Sequence, residues 1–193
     1  MTLTIARRRL LLASLAAPAT LLTTAAGAAE LPATPECRSP GEATPPQTAG
    51  PFYTPRTPEK RNFRADGRPG KPMVLIGFVL TRDCRPAADA VVDLWHCDGA
   101  GVYDNAGYAL RGWQKTDAQG RFLFETLVPG RYPGRTPHFH VKVQRPGGPL
   151  LTTQLYFPDE PQNRRDGLFD ARLLMKMRSD AGLPVGRFDF VVG

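Results

Sequence analysis

Several common functional signatures are missing from this chain of 193 residues. It has no P-loop, no glycine-rich dinucleotide fingerprint and no Gly-x-Ser-x-Gly elbow, so nothing indicates a nucleotide-binding fold or a serine hydrolase. It also lacks a Gly-X-Y period, although it has 19 Gly and 20 Pro, which excludes a collagen-like protein. Hydrophobic residues make up 41% of the chain, a proportion typical of one folded domain.

Long apolar runs are also absent, and the segment 1–29 predicts an export signal instead. Three arginines at 7–9 precede an apolar run at 10–17, and small residues follow at 26–29. This is the order of a secretory signal, and the arginine pair also fits the twin-arginine route. The alternative is an uncleaved anchor, but the apolar residues are fewer than the roughly 20 that a membrane span needs. We expect a periplasmic or extracellular protein with no stable membrane span after cleavage.

The net charge of +7 would favour nucleic acid or a membrane surface as a partner if a basic block carried it. Three of the 25 basic residues and none of the 18 acidic residues lie in the signal, which leaves 22 against 18, or +4. The remaining Lys and Arg form no basic block. We therefore expect no nucleic-acid partner.

The pattern from residue 73 onward predicts β-strands. Short runs rich in β-branched and aromatic residues, bounded by Gly, Pro, Asp or Asn, occur at 73–81, 90–97, 120–126, 138–143, 150–157 and 187–192. They predict an all-β fold, an antiparallel β-sandwich with long loops and a hairpin turn at 117–120. At most one short helix is expected, around 170–179. Residues 30–50 predict an extended arm, and residues 51–193 form the sandwich domain.

Three cysteines leave one thiol unpaired if two of them oxidise in an exported protein. We favour a disulfide between Cys37 and Cys84, which would join the arm to the sheet. Cys97 is an alternative partner, and the spacing does not distinguish the two pairings.

The sequence His138-Phe139-His140 is the first candidate for a metal site. Positions i and i+2 of a strand face the same side, so both imidazoles can meet one ion. The pattern alone is weak, because copper, zinc, iron and metal-free proteins all contain it. The preceding segment, 128–137, has three prolines and forms a stiff loop that carries Tyr132 and Arg135. Tyr103 follows a Gly-rich turn at the end of another strand.

Four ordered motifs, at 44–53, 93–103, 111–117 and 129–140, resemble those of the intradiol ring-cleavage dioxygenases. The likeness includes the exported branch and the protocatechuate 3,4-dioxygenase type. It implies the β-sandwich of these aromatic-ring dioxygenases and a non-haem Fe(III) cofactor. The implied reaction inserts both atoms of O2 into a catechol-type aromatic and opens the ring between the two hydroxyl-bearing carbons, giving a cis,cis-muconate. The preferred catechol and a homo-oligomeric state stay open.

The resemblance also implies site residues. The ferric ligands would be Tyr103, Tyr132, His138 and His140. Fe(III) is a hard cation and a phenolate is a hard anionic ligand, so binding drives the tyrosine pKa below its free value of about 10. Catalytic roles beyond the metal fall to Tyr132, Arg135 and Gln154, and the substrate wall would comprise Gly50, Pro51, Phe52, Tyr53 and Arg135.

Other interpretations remain beside this one. An exported β-sandwich binding module with a decayed metal site would hold no stoichiometric iron. A zinc or copper protein would hold metal without a phenolate charge-transfer band. His96 is a rival iron ligand, whereas the soft sulfur of Cys97 fits Fe(III) poorly.

Overall fold

The computed structural model describes residues 42–193. The strands in chain order are β1 Pro72–Thr81, β2 Val91–Trp95, β3 Arg111–Lys115, β4 Arg121–Leu127, β5 His138–Gln144, β6 Leu151–Tyr156, β7 Lys176–Asp180, β8 Leu183–Arg187 and β9 Phe190–Val192. Three short 3-10 turns lie at Arg64–Asp66, Pro161–Arg165 and Ala171–Leu173. Within this range no helix has the length and apolar character needed to cross a bilayer.

Two sheets pack face to face, which confirms the all-β sandwich. One sheet is antiparallel, in the order β3-β2-β5-β6. The other has the order β4-β1-β8-β7 and is mixed, because β1 runs parallel to β8 and also to β9. The core between the sheets is filled by buried aromatic and aliphatic side chains, among them Phe122, Phe124, Phe139, Val141 and Leu155.

The predictions of a hairpin and a helix are wrong in detail. Residues 117–120 do form a turn, with the Gly120 N–H donating to the Asp117 carbonyl at 2.9 Å, but the strands it joins, β3 and β4, lie in different sheets. The segment 170–179 contains only the turn Ala171–Leu173, followed by β7. Leu173 and Met175 are buried two residues apart, which is the period of an extended chain and not of a helix.

Strand β5 has one apolar and one polar face, and the polar face positions the site. Phe139, Val141 and Val143 enter the core, so the alternate residues His138 and His140 face outward over the sheet. Trp95 of β2 and Gln154 of β6 pair with His140 on either side. The described part of the arm has no regular structure and runs beside β6, where the Gln47 N–H donates to the Thr152 carbonyl at 2.8 Å.

The cysteines differ in state. Cys97 is a free, buried thiol, and Cys84 is disulfide-bonded. Cys37 lies outside the described residues, so the predicted pairing stays a prediction. The export signal and the first part of the arm also lie outside them.

Candidate metal centre

The structure brings Tyr103, Tyr132, His138 and His140 together on the outward face of β5. His138 Nε2 lies 3.1 Å from His140 Nε2 and 3.3 Å from Tyr132 Oη. The Tyr103 ring centroid is 5.8 Å from that of Tyr132 and 6.3 Å from that of His140. Four side chains from three separate segments of the chain thus surround one point.

The spacing of His138 Nε2 from His140 Nε2 and from Tyr132 Oη fits a shared metal ion. Two ligands that each lie about 2.1 Å from a first-row metal, at right angles, are about 3 Å apart. His138 Nδ1 lies 2.6 Å from the Thr136 carbonyl oxygen. It is therefore the protonated nitrogen and donates to that oxygen, which leaves the Nε2 lone pair for the centre.

Tyr103 supplies a second observation that fits a metal. Its hydroxyl oxygen is buried and makes no hydrogen bond of good geometry, although the Tyr132 hydroxyl lies close enough to interact with it, and a bound cation would satisfy it. No group of three or more His, Cys, Asp or Glu side chains suited to a metal occurs within residues 42–193. A four-ligand centre here therefore needs the two tyrosines, and phenolates favour a hard cation such as Fe(III).

Burial controls the ionisation of all four groups. Desolvation, together with the neighbouring Tyr132, raises the pKa of Tyr103 far above its usual value, and desolvation also raises the pKa of Tyr132. Desolvation lowers the pKa of His138 to about 4, and desolvation with the nearby His138 lowers that of His140 well below 6.5. Without metal, the groups are neutral at pH 7. The imidazoles are ready to bind, whereas each phenol must release a proton, so metal affinity rises with pH.

Direct backbone contact between two loops places the tyrosines. The Gly130 N–H donates to the Asp98 carbonyl at 2.8 Å, which joins the Tyr132 loop to the Tyr103 loop. A Cβ on Gly130 would lie 2.5 Å from the Gly101 nitrogen, closer than side-chain carbons approach backbone. Glycine at 130 is therefore needed for the two loops to meet.

The predicted substrate wall is only partly beside the centre. Phe52 stacks on Tyr103 with a centroid distance of 4.5 Å, and a Cβ added to Gly50 would lie 3.2 Å from Cε1 of the His140 ring. Pro51 is exposed. Tyr53 lies farther out, where its ring packs against Trp95 at 4.8 Å and its hydroxyl donates to Asp93 Oδ2 at 3.4 Å.

Arg135 and Gln154 lie together. Arg135 Nη2 donates to Gln154 Oε1 at 2.5 Å. Gln154 is fully buried, and its Nε2 donates to the Thr48 carbonyl of the arm at 3.1 Å. The guanidinium is thereby connected both to β6 and to the segment that crosses the site.

Sequence reasoning missed some supporting contacts. Trp95, which no sequence pattern marks as part of the site, stacks almost parallel on His140, with ring centroids 5.0 Å apart and ring planes 7° apart. The Thr136 carbonyl that orients His138, and the Asp166 carboxylate that pairs with Arg135, were not singled out. No periodicity or spacing marks these groups, because their partners are fixed only by the tertiary structure.

The rival ligand His96 is engaged elsewhere. Its Nδ1 lies 2.7 Å from the Cys97 carbonyl oxygen and its Nε2 lies 2.6 Å from Thr126 Oγ1. Its ring packs edge-on against Phe139 in the core. Desolvation lowers the pKa of His96 to about 3 and raises that of the Cys97 thiol to about 11, so Cys97 carries no thiolate at neutral pH.

Comparison with known proteins identifies the family. A family model described as "Dioxygenase" matches residues 48–182, which include all four candidate ligands. The chain is 30% identical over 162 residues to hydroxyquinol 1,2-dioxygenase of Rhizobium sp. (strain MTP-10005). It is 33% identical over 146 residues to chlorocatechol 1,2-dioxygenase of Pseudomonas sp. (strain P51). The chain belongs to the intradiol ring-cleavage dioxygenase family.

The coverage of these matches differs between relatives. The alignments take in 70% and 63% of the present chain but only 55% and 58% of the two relatives. A solved structure matches over nearly its whole length. It is the dioxygenase domain of a dioxygenase and carbohydrate-binding fusion from Streptomyces sp. SirexAA-E, with a TM-score of 0.76 and 48% identity, covering 78% of this chain and 98% of that one. This intradiol family member therefore corresponds to a dioxygenase domain and spans little more than half of the two longer relatives.

Proposed function

We propose that this protein is an exported, Fe(III)-dependent intradiol dioxygenase that opens a catechol-type aromatic ring with O2 and yields a cis,cis-muconate. The observation that carries the proposal is the convergence of two tyrosines and two histidines on one point in a member of this family. Export is proposed from the signal pattern of residues 1–29.

Tyr103, Tyr132, His138 and His140 would hold the iron. Bound Fe(III) would supply a site for both catechol oxygens and withdraw electron density from the ring, which makes a ring carbon reactive toward O2. The Tyr103 and Tyr132 phenolates would offset two of the three positive charges of Fe(III), and a protonated Tyr132 beside a dianionic catecholate would leave the buried site without net charge.

Tyr132 is suited to accept a proton from the substrate. It is less buried than Tyr103 and lies on the proline-bordered loop. Burial raises the pKa of its hydroxyl, so a free phenolate at this position is a strong base. Tyr103 is more deeply buried and stacks on Phe52, which suits a permanent ligand.

Arg135 supplies the electrostatic part of the chemistry. Burial opposes its charge, but Asp166 more than offsets that effect and raises the pKa of the guanidinium. A fixed cation beside the ring stabilises negative charge that develops on a ring carbon during attack. Phe52 would exclude water on the side of Tyr103, where the two rings stack.

The test is to purify the protein, measure iron per chain, record the visible spectrum and incubate with O2 and each of catechol, hydroxyquinol and protocatechuate. We expect one iron per chain, a tyrosinate-to-iron charge-transfer band and a muconate product from at least one substrate. Iron-free, colourless protein that gains neither band nor activity with ferric iron would contradict the proposal and favour the binding module. A stoichiometric zinc or copper content without the band would favour the third interpretation.

A further inference from the structure

The guanidinium of Arg135 is held on two sides. Its Nε donates to Asp166 Oδ2 at 2.9 Å, and its Nη2 donates to Gln154 Oε1 at 2.5 Å. Because a guanidinium is planar, two bonds to separate partners fix the direction of the remaining donors. The side chain is still 15% exposed, so it can meet a ligand in the orientation that these two bonds impose.

Asp166 is a buried carboxylate that makes several hydrogen bonds, unlike a charged side chain at the surface. Its side chain is 1% exposed, and both carboxylate oxygens are used. Oδ2 also accepts from the Thr136 N–H at 2.9 Å, and Oδ1 accepts from the Leu168 N–H at 2.9 Å. Bonds of this kind to an ionised carboxylate are among the strongest in proteins.

A short 3-10 turn brings this carboxylate to the Tyr132 loop. Pro161–Arg165 ends at Asp166, whose N–H donates to the Gln162 carbonyl at 3.1 Å. Within the turn, Asn163 Oδ1 accepts from Thr136 Oγ1 at 2.7 Å, and its Nδ2 donates to the Phe157 carbonyl at 2.9 Å. The backbone around Asp166 is thus itself held against the loop that carries Arg135.

We propose that Asp166 is a positioning residue that fixes the orientation in which Arg135 meets the substrate ring. This inference rests on the proposed function. In an alternative role, Asp166 would only neutralise the charge of Arg135, and its substitution would then strengthen substrate binding. Loss of the carboxylate would then leave a stronger cation and would increase attraction for the catecholate.

The test compares Asp166→Asn with the wild type in the iron-loaded protein. A misplacement of about 1 Å costs roughly 100-fold in rate, so we expect kcat to fall by about 10- to 100-fold while KM changes less than about threefold. Iron content and the charge-transfer band should be unchanged. In an Arg135→Gln background, the same substitution should alter kcat less than about twofold, because the group it positions is gone.

Asp170→Asn is the matched control, because Asp170 is a nearby carboxylate that pairs with the exposed Arg172. We expect wild-type kinetics from it. An unchanged or raised kcat in Asp166→Asn, a full effect in the Arg135→Gln background, or loss of iron in place of kcat would each overturn the positioning role. If the Asn variant does not fold, Asp166→Ser decides by the same criteria. If the wild-type protein itself holds no iron and cleaves no ring, the proposed function is wrong. This result is distinct from failure of the positioning role, which is judged only by comparing variants with an active wild type.

Discussion

Substitution of Gly130 by alanine tests whether backbone contact between two loops sets the tyrosine geometry. Gly130 lies on the Tyr132 loop and packs against Gly99 and Gly101 of the Tyr103 loop. Its φ is not positive, so alanine is compatible with the local backbone. Any effect must therefore come from the added methyl group.

The required movement can be worked out from the structure. The new Cβ would lie 2.5 Å from the Gly101 nitrogen, whereas real Cβ atoms essentially never come closer than 3.0 Å to another atom. The obstructing atoms belong to backbone and cannot rotate away, so relief of this overpacking requires the loops to separate by about 0.5 Å or more. Since His138 Nε2 lies 3.3 Å from Tyr132 Oη, that is a large change in ligand spacing. Forced overpacking of this kind costs about 1–3 kcal/mol, and misplaced groups lose roughly 10- to 100-fold in rate.

The assay measures iron per chain, kcat and melting temperature of Gly130→Ala. We expect reduced iron, a kcat lower by about 10- to 100-fold and a melting temperature lower by roughly 3–10 °C. Gly167→Ala is the control, because no atom lies within 4 Å of its added Cβ and its φ is not positive. Wild-type iron content and kcat in Gly130→Ala would refute the idea that this contact sets the site.

Three further predictions address single groups. Tyr103→Phe should lose most of its iron, whereas Tyr132→Phe should retain more iron but turn over slowly, with the exposed Tyr108→Phe as control; equal iron loss in both would contradict the proposed division of roles. Burial lowers the pKa of His96 from 6.5 in the unfolded chain to about 3 in the folded protein. His96 therefore contributes its full stability above pH 6.5. The free energy of unfolding should fall by about 2 kcal/mol between pH 6.5 and pH 5, because the unfolded chain gains a proton there and the folded protein does not. Urea midpoints at the two pH values should show this decline, and an equally steep decline in His96→Gln would show that another group causes it. Cys97, buried with a pKa of about 11, should resist iodoacetamide at pH 8 until the protein unfolds; rapid labelling of native protein would show that the thiol is accessible.

The two histidines of the site could be predicted from a local sequence pattern, whereas the tyrosines and Arg135 could not. His138 and His140 were placed on one face by the two-residue period of β5, a local property that the sequence displays directly. Strands β3, β7 and β8 were missed because β3 has a single apolar side chain, Trp113, β7 has no buried residue and β8 contains Pro and Gly. Strand patterns are recognised by an apolar face. The edge strands β3 and β7 have little of one, and β8, which lies between β1 and β7, is interrupted by Pro184 and Gly186.

The tyrosines and Arg135 depend on contacts between distant parts of the chain, and no local pattern reports such contacts. Tyr103 approaches Tyr132 because Gly101 and Gly130 allow two backbones to touch, and Arg135 is oriented by a carboxylate 31 residues away. The stiff loop and the Gly-rich turn drew attention to the tyrosines, but only the resemblance in ordered motifs indicated them as ligands, and nothing indicated Asp166. The histidines of β5 and the tyrosines of the two loops should therefore respond differently to substitution. A substitution on the β5 face affects one ligand at a time. The Gly130→Ala substitution should instead displace the two tyrosine ligands together, so we expect it to lower iron content and kcat more than a substitution that disturbs only one of the two loops.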